Sequence, residues 1–421
     1  MTGTAPQYNN ADVRMKGFTS RTTVEAATAW IDEVAAEFAN VPELVALLEA
    51  AERVLAEDLV SRVNVPGFAR SMMDGFALHA DETQGASSYN PLSFNIVGTC
   101  LPGVPYSGRL AKGQAVRIMT GAPIPEDADG VLPAEYCQAH DTTLLTMGEV
   151  SSGKNIGTVG EDVRSGDVIL KAGRLLRPQD LGVISSVGID TVSVRRKPRI
   201  RILISGNELL PTGSLPSGFQ IADANGPMLT SLVRRDGGVP VFARDAASPI
   251  IRDDPDVLLA AMQEPADIVL ISGGSSVGQE DHAPRLLAEH GELAIHGLAM
   301  RPSSPAGMGR LNQALVFLLP GNPVSCLCAY DFFAGRAIRG FGGRSREWPY
   351  RRVPATLTRK LVSTIGRVDY ARVKLDGMNV EPLAISGASI LSSTTQADGF
   401  VIIPADREGY GPGAVVDVFL Y

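Results

Sequence analysis

The sequence predicts a multidomain α/β plus β chain: a mostly parallel α/β domain, a β-rich insertion and a further β domain at the C-terminal end. Three observations predict it. At 421 residues the chain exceeds what one hydrophobic core ordinarily serves. Between 198 and 340, continuous apolar runs alternate with helical patterns, the mark of a parallel sheet covered on both faces. Between about 66 and 160 helical periodicity vanishes and short apolar stretches alternate with Gly, Pro and Ser, the texture of a small all-β region.

Taken in order, "TTVEAATAWIDEVAAEF" and "ELVALLEAAERVLAEDL" within 22–58 both carry helical periodicity, with Thr22 or Thr23 placed to cap the first. "LSFNIVG", "QAVRIM" and "GVLPAEY" are strands of the insertion. Residues 161–197 read as strand, turn, a helix starting near Pro178, and strand. The middle then runs "RIRILISG" (strand), "GPMLTSLVRRDG" (helix), "VPVFARD" (strand), "PDVLLAAMQE" (helix) and "ADIVLISGG" (strand). It continues with "APRLLAEHG" (helix), "LAIHGLAM" and "ALVFLLPG" (strands) and the helix "PVSCLCAYDFFAGRAIRGF". From 345 a short-strand β domain closes the chain.

Composition excludes several classes. Hydrophobic content of 44% with 20% charged residues is that of a folded globular protein rather than a disordered one. No apolar run reaches the roughly 18–20 residues that span a bilayer, and "MTGTAPQYNNADVRMKGF" lacks a secretory h-region. Neither a membrane partner nor secretion is expected. Cys100, Cys137, Cys326 and Cys328 match no zinc spacing, so they read as structural thiols of a cytoplasmic protein. The net charge of −8 argues against nucleic acid as a partner, yet leaves room for a small anion held by backbone N–H groups.

The segment "ISGGSSVGQED" (271–281) poses the functional question. An apolar strand stops at Gly273, Gly274, Ser275 and Ser276, ahead of a helix. Consecutive N–H groups there suit a phosphate, whereas the plain alternative is a tight β–α turn. Asp281 adds an acid beside that loop, which makes sense when Mg²⁺ lies between carboxylate and phosphate. "SGNELLPTG" presents Glu208 after another strand, and "LPGNPVSCL" sets Pro320, Gly321, Asn322 and Pro323 as a stiff loop after a third. Read singly, these are a helix-starting acid and a rigid helix start; together they put unusual chemistry at three strand ends, where ligands of such sheets bind. "ARSMMDGFALHA" and "MTGAPIPEDADGVLP" expose Asp74 and Thr120 among glycines, and each alone reads as a turn.

In order along the chain, "VNVPGFARSMMDGFAL", "RIMTGAPIPEDADGVLP", "GEDVRSGDVILKAGRLL", "RIRILISGNEL", "DIVLISGGSSVGQED", "FLLPGNPVS" and "ILSSTTQADGFVIIP" resemble the molybdopterin molybdenumtransferase family, which includes bacterial MoeA and the E domain of gephyrin. The resemblance implies four domains. These are a molybdopterin-binding α/β domain (1–42 and 198–342), a small segmented N-terminal domain (43–65 and 163–197), a β-rich insertion (66–162) and a C-terminal β-barrel (343–421). It implies a homodimer that inserts molybdate into adenylylated molybdopterin with Mg²⁺, releases AMP, and has a molybdopterin adenylyltransferase as upstream partner. Carried over motif by motif, the catalytic set is Asp74, Thr120, Asp162, Glu208, Asp245 and Asp281, with Glu208, Asp245 and Asp281 as metal ligands. Gly273, Gly274, Ser275, Ser276, Pro320, Gly321, Asn322 and Pro323 form the substrate cradle, and Arg301, Ser303 and Ser304 are the oxyanion donors.

Three departures from the family pattern remove charge near the anion site. "SGNEL" puts Asn207 where "TGDEL" has an acid, "RPSSP" (301–305) stands for "KPGKP", and "NIGTV" precedes "GED" without arginines. Arg and Lys are not interchangeable at an anion site. A non-catalytic relative that binds molybdopterin as carrier or scaffold is therefore the alternative reading.

Overall fold

The computed structural model describes residues 20–37, 41–243, 248–274, 281–384 and 387–421. The chain forms two compact units, Met1–Glu43 with Glu52–Val54 and Arg195–Tyr421, and Leu44–Ala51 with Leu55–Val194.

The larger unit begins with helix α1 (Val24–Glu37), which buries Ala27, Ile31 and Val34 at helical spacing. In the smaller unit, a six-stranded sheet is built from β1 (Gly75–Leu78), β2 (Leu92–Cys100), β3 (Gln114–Ile118), β4 (Gly130–Pro133), β5 (Cys137–His140) and β6 (Thr143–Thr146). Their order is β4–β1–β3–β2–β6–β5. One face buries Phe76, Leu78, Phe94 and Leu132, the other Ala77, Val116, Ile118 and Val131. A separate core, with Leu47, Leu55, Leu59, Leu170, Ile184 and Val194, gathers around α2 (Pro178–Ser186).

That second core corrects one expectation. The segment "ELVALLEAAERVLAEDL" is not a helix. Residues 42–46 form a strand paired with 191–195, and a single 3-10 turn follows at 47–49. Leu44 and Leu48 stay 78% and 93% exposed, so the residues that suggested a buried helical stripe do not bury one. Helix propensity of a few tenths of a kcal/mol per residue yields to strand pairing and core packing.

The α/β layer of the larger unit comprises β7 (Arg199–Ser205), α3 (Asn225–Arg235), β8 (Val239–Val241), β9 (Ile250–Ile251), α4 (Pro255–Gln263), β10 (Ile268–Ser272), α5 (Ala283–His290), β11 (Glu292–His296), β12 (Gly307–Leu311) and β13 (Ala314–Leu319). Strand order is β8–β7–β10–β13–β12–β11, with β9 also on β7. The strands β8, β9, β7, β10 and β13 are parallel. The antiparallel flank β13–β12–β11 departs from the sequence reading, which has no strand in the glycine-broken stretch 307–311. Ile200, Ile202, Leu270 and Phe317 face α1 and α3; Leu203, Val269, Ile271 and Val316 face α4 and α5. Alternate residues thus enter opposite cores, the reason these strands read as unbroken apolar runs.

The helix after β13 runs as α6 (Pro323–Ala329), a π stretch at Tyr330–Ala334, and α7 (Gly335–Phe341). Five further strands close a barrel: β14 (Arg351–Leu357), β15 (Val368–Asp376), β16 (Asn379–Ala384), β17 (Gly399–Ile403) and β18 (Val415–Leu420). The ring runs β15–β16–β14–β18–β17 and back to β15. Closure leaves no long free edge.

Candidate functional site

Register places three loops on one rim. Ile204 of β7 lies beside Ser272 of β10, and Ser272 beside Leu319 of β13, so 206–208, 273–274 and 320–322 leave the sheet side by side at its carboxyl edge. Gly273 (φ 96°) and Gly274 (φ 57°) take left-handed backbone, which favours glycine. A Cβ on Gly273 would overlap the Ser205 carbonyl oxygen, and one on Gly321 would lie 3.5 Å from the Gly273 Cα. At Gly273 glycine is needed because backbones meet there. Ser275 and Ser276 lie outside the described residues.

Glu208 is exposed on the turn after β7. Asp281 is half-buried just before α5. Asp245 lies outside the described residues, whereas Asp253, which sequence reasoning passed over, is at this rim. Its Oδ1 accepts from the Ser205 hydroxyl at 2.5 Å, and its N–H donates to Asn207 Oδ1 at 3.3 Å. Two further buried groups went unnoticed in "IADANGP": Asp223 and Asn225, each 6% exposed. Burial pushes the Asp223 carboxyl up, against the Gly226 and Asn225 backbone donors that pull it down. The signal for both was a polar Asp-x-Asn between a strand and a helix start. Among the described residues, no three His, Cys, Asp or Glu side chains come together as a ready metal cage.

On the 301–305 segment, Arg301 pairs with buried Asp369 at 2.5 Å. The Ser363 hydroxyl donates to the same carboxylate at 2.8 Å, and the Arg367 guanidinium lies 3.2 Å from it. Ser303 is buried, its hydroxyl donating to the Ser325 carbonyl at 2.5 Å. Half-buried Ser304 donates to the Leu298 carbonyl at 3.2 Å. Much of the charge and donor capacity assigned to an oxyanion is therefore engaged within the protein.

The smaller unit has its own cluster. The backbone N–H and the hydroxyl of Thr120 both donate to Asp74 Oδ1, at 2.7 and 2.8 Å. These bonds hold the exposed Asp74 carboxyl below the usual carboxylate range, the backbone donor being the larger cause. Asp162 is exposed in the same unit, on a turn tied by its N–H to the Val65 carbonyl at 3.1 Å. The segment before it pairs Ile156 with Ser71 and Gly157 with Arg70, so turns near 70, 120 and 160 are stitched together.

A MoeA N-terminal region model (domains I and II) matches residues 22–188, a probable molybdopterin binding domain matches 201–339, and a MoeA C-terminal region model (domain IV) matches 354–421. The molybdopterin molybdenumtransferase of Haemophilus influenzae is 30% identical over 390 residues, covering 90% of this chain and 94% of that one. The chain belongs to the MoeA family. A Methanocaldococcus jannaschii protein provisionally assigned to molybdopterin biosynthesis is 32% identical over 89% of this chain and 91% of its own length. The crystal structure of the molybdopterin biosynthesis MoeA protein of Pyrococcus horikoshii superposes with a TM-score of 0.79 at 31% identity, covering 95% of this chain and 99% of that one. The middle match spans the rim, and the first spans Asp74, Thr120 and Asp162.

A cleft of about 540 Å³ in this MoeA-family chain lies at the other end of the sheet, between Arg199, Glu264, Asp267 and Asn312. Size does not make it the site. It opens at the amino ends of β7, β10 and β13, where Arg196 and Asp267 already form a bidentate pair at 2.9 and 2.8 Å. Parallel sheets bind ligands at the opposite edge. Among the described residues, no helix is long and apolar enough to cross a membrane.

Proposed function

We propose that this chain inserts molybdate into adenylylated molybdopterin, releasing AMP and leaving the metal on the pterin dithiolene as molybdenum cofactor. The observation that carries the reading is the meeting of the Gly273–Gly274 turn, the Pro320–Pro323 loop and the Glu208 turn along one sheet edge inside the region matched as molybdopterin-binding. Cleaving a phosphoanhydride needs positioning and charge neutralisation more than covalent catalysis. Past Gly273, whose own N–H donates to the Leu319 carbonyl at 3.4 Å, the glycine turn offers backbone N–H groups to the phosphates, and the proline-flanked loop stiffens the bed beneath them.

The carboxylates at this edge suit a hard cation such as Mg²⁺. Glu208, Asp281 and Asp245 would hold it, with Asp253 as a fourth candidate because its carboxylate sits among the strand ends. Bound there, Mg²⁺ supplies neutralisation of the diphosphate charge. Arg301 and Ser304 serve molybdate, and Ser303, its hydroxyl turned inward, shapes their loop. Asp74, Thr120 and Asp162 complete the catalytic set. The chain acts as a cytoplasmic homodimer downstream of a molybdopterin adenylyltransferase, in the four-domain layout given above.

Incubating purified protein with adenylylated molybdopterin, molybdate and Mg²⁺ should release AMP, and omission of Mg²⁺ should suppress it. AMP release no greater than that of Glu208→Ala would end the enzyme reading. Calorimetric binding of molybdopterin without turnover would instead support the carrier.

A further inference from the structure

Asn225 opens α3 and is 6% exposed. Its Nδ2 donates to two groups from different loops, the Ser272 hydroxyl at 2.9 Å and the Gly321 carbonyl at 2.8 Å. A carbonyl oxygen only accepts, so the bond to Gly321 fixes which end of the amide is nitrogen. Ser272 passes the link on, its hydroxyl donating to the Pro320 carbonyl at 3.3 Å. Among the described residues, the buried Asn225 Oδ1 has no hydrogen-bond partner.

Helix capping does not account for this side chain. The residue at the cap position, Ala224, has no side chain for the task, and Asp223 accepts from the Gly226 N–H at 2.9 Å instead. Nor does core packing: an apolar residue would fill the volume without leaving a buried acceptor unmet. Buried polar groups left open in a native fold call for a reason.

We propose that Asn225 is the positioning residue of the rim. Its carboxamide locks the end of β10 to the loop after β13, so that the two backbones face a ligand's diphosphate in fixed register. This rests on the functional reading above and names a residue that it does not include.

The decisive variant is Asn225→Asp, which keeps shape and acceptor but removes the donor and sets a carboxylate against the Gly321 carbonyl. Steady-state AMP release should show kcat/KM lowered about 10- to 100-fold, since loop misplacement of this kind is costly, with a raised KM for adenylylated molybdopterin. Ser272→Ala, which keeps the Asn225–Gly321 bond, should raise KM more mildly. The double variant should be little worse than Asn225→Asp alone, because both cut one connection. If Asn225→Asp does not fold, Ser272→Ala carries the test, and a KM within twofold of wild type overturns the proposal. So does Asn225→Asp with kcat/KM within twofold of wild type, or activity that tracks only the folded fraction. Should the wild type release no AMP, the enzyme reading fails separately; calorimetry with molybdopterin then decides, equal affinity for wild type and Asn225→Asp overturning the role. No molybdopterin binding by the wild type would remove both.

Discussion

Gly273 shows how one residue can be required twice. Its φ of 96° disfavours any side chain, and a Cβ would overlap the Ser205 carbonyl. Gly273→Ala should cost roughly 1–3 kcal/mol of stability in urea denaturation, and should abolish measurable binding of molybdopterin because the turn must shift away from its neighbours. Asp74 and Thr120 offer a gentler test. The hydroxyl of Thr120 is one of two donors that keep the Asp74 carboxyl depressed, so Thr120→Val should raise the Asp74 pKa toward its ordinary value. If ionised Asp74 is needed, the acid limb of the pH–rate profile moves to higher pH. Both residues are exposed, and the melting temperature should stay within about 2 °C. An unmoved acid limb would show that Asp74 does not set it.

At the scale of elements, α2 depends on a single acid. Asp180, 4% exposed, accepts from Arg174 at 2.8 and 3.0 Å and from the Arg177 N–H at 2.9 Å. Arg174 chiefly, then Arg177, hold its carboxyl far below the usual range. A depressed carboxyl means that the unfolded chain binds more protons, so this stability is present above the ordinary carboxylate pKa and lost as pH falls below about 4. Asp180→Asn should destabilise the smaller unit by about 1–3 kcal/mol at neutral pH, the partners being partly exposed, and should flatten the loss between pH 5 and 3.5. Denaturant titrations across that range check it. The element most misread, 43–58, teaches the converse: its Leu, Ala and Glu favour a helix locally, and only pairing with 191–195 makes part of it a strand.

At the scale of the molecule, a buried ionic cluster joins the α/β layer to the barrel within the larger unit. Arg235 of α3 reaches Asp236 at 2.9 Å, Asp331 at 3.0 Å and the Tyr350 hydroxyl at 2.6 Å. Trp348 donates to the Asp331 carbonyl at 3.0 Å and packs edge-on to Phe332 and Phe419. Arg235→Met would leave two buried carboxylates short of a cation, at a cost near the lower end of about 3–5 kcal/mol, since Arg339 and Tyr350 remain. Urea denaturation followed by near-ultraviolet circular dichroism should show it. Because the two units hold separate cores, calorimetry should resolve two transitions, with Arg235→Met lowering one and Asp180→Asn the other.

By itself the sequence determined the alternation of strands and helices from 198 to 340, the β character of the insertion and tail, and the three strand-end loops, because apolar period and glycine placement are local properties of the chain. It also carried the family. Only tertiary structure decided that Arg301 pairs with Asp369, that Ser303 turns inward, and that Asp253, Asp223 and Asn225 belong to the rim. Those facts depend on which buried polar groups meet across tens of residues of intervening chain, and hydrogen-bond satisfaction between distant segments leaves no periodic trace in the order of residues.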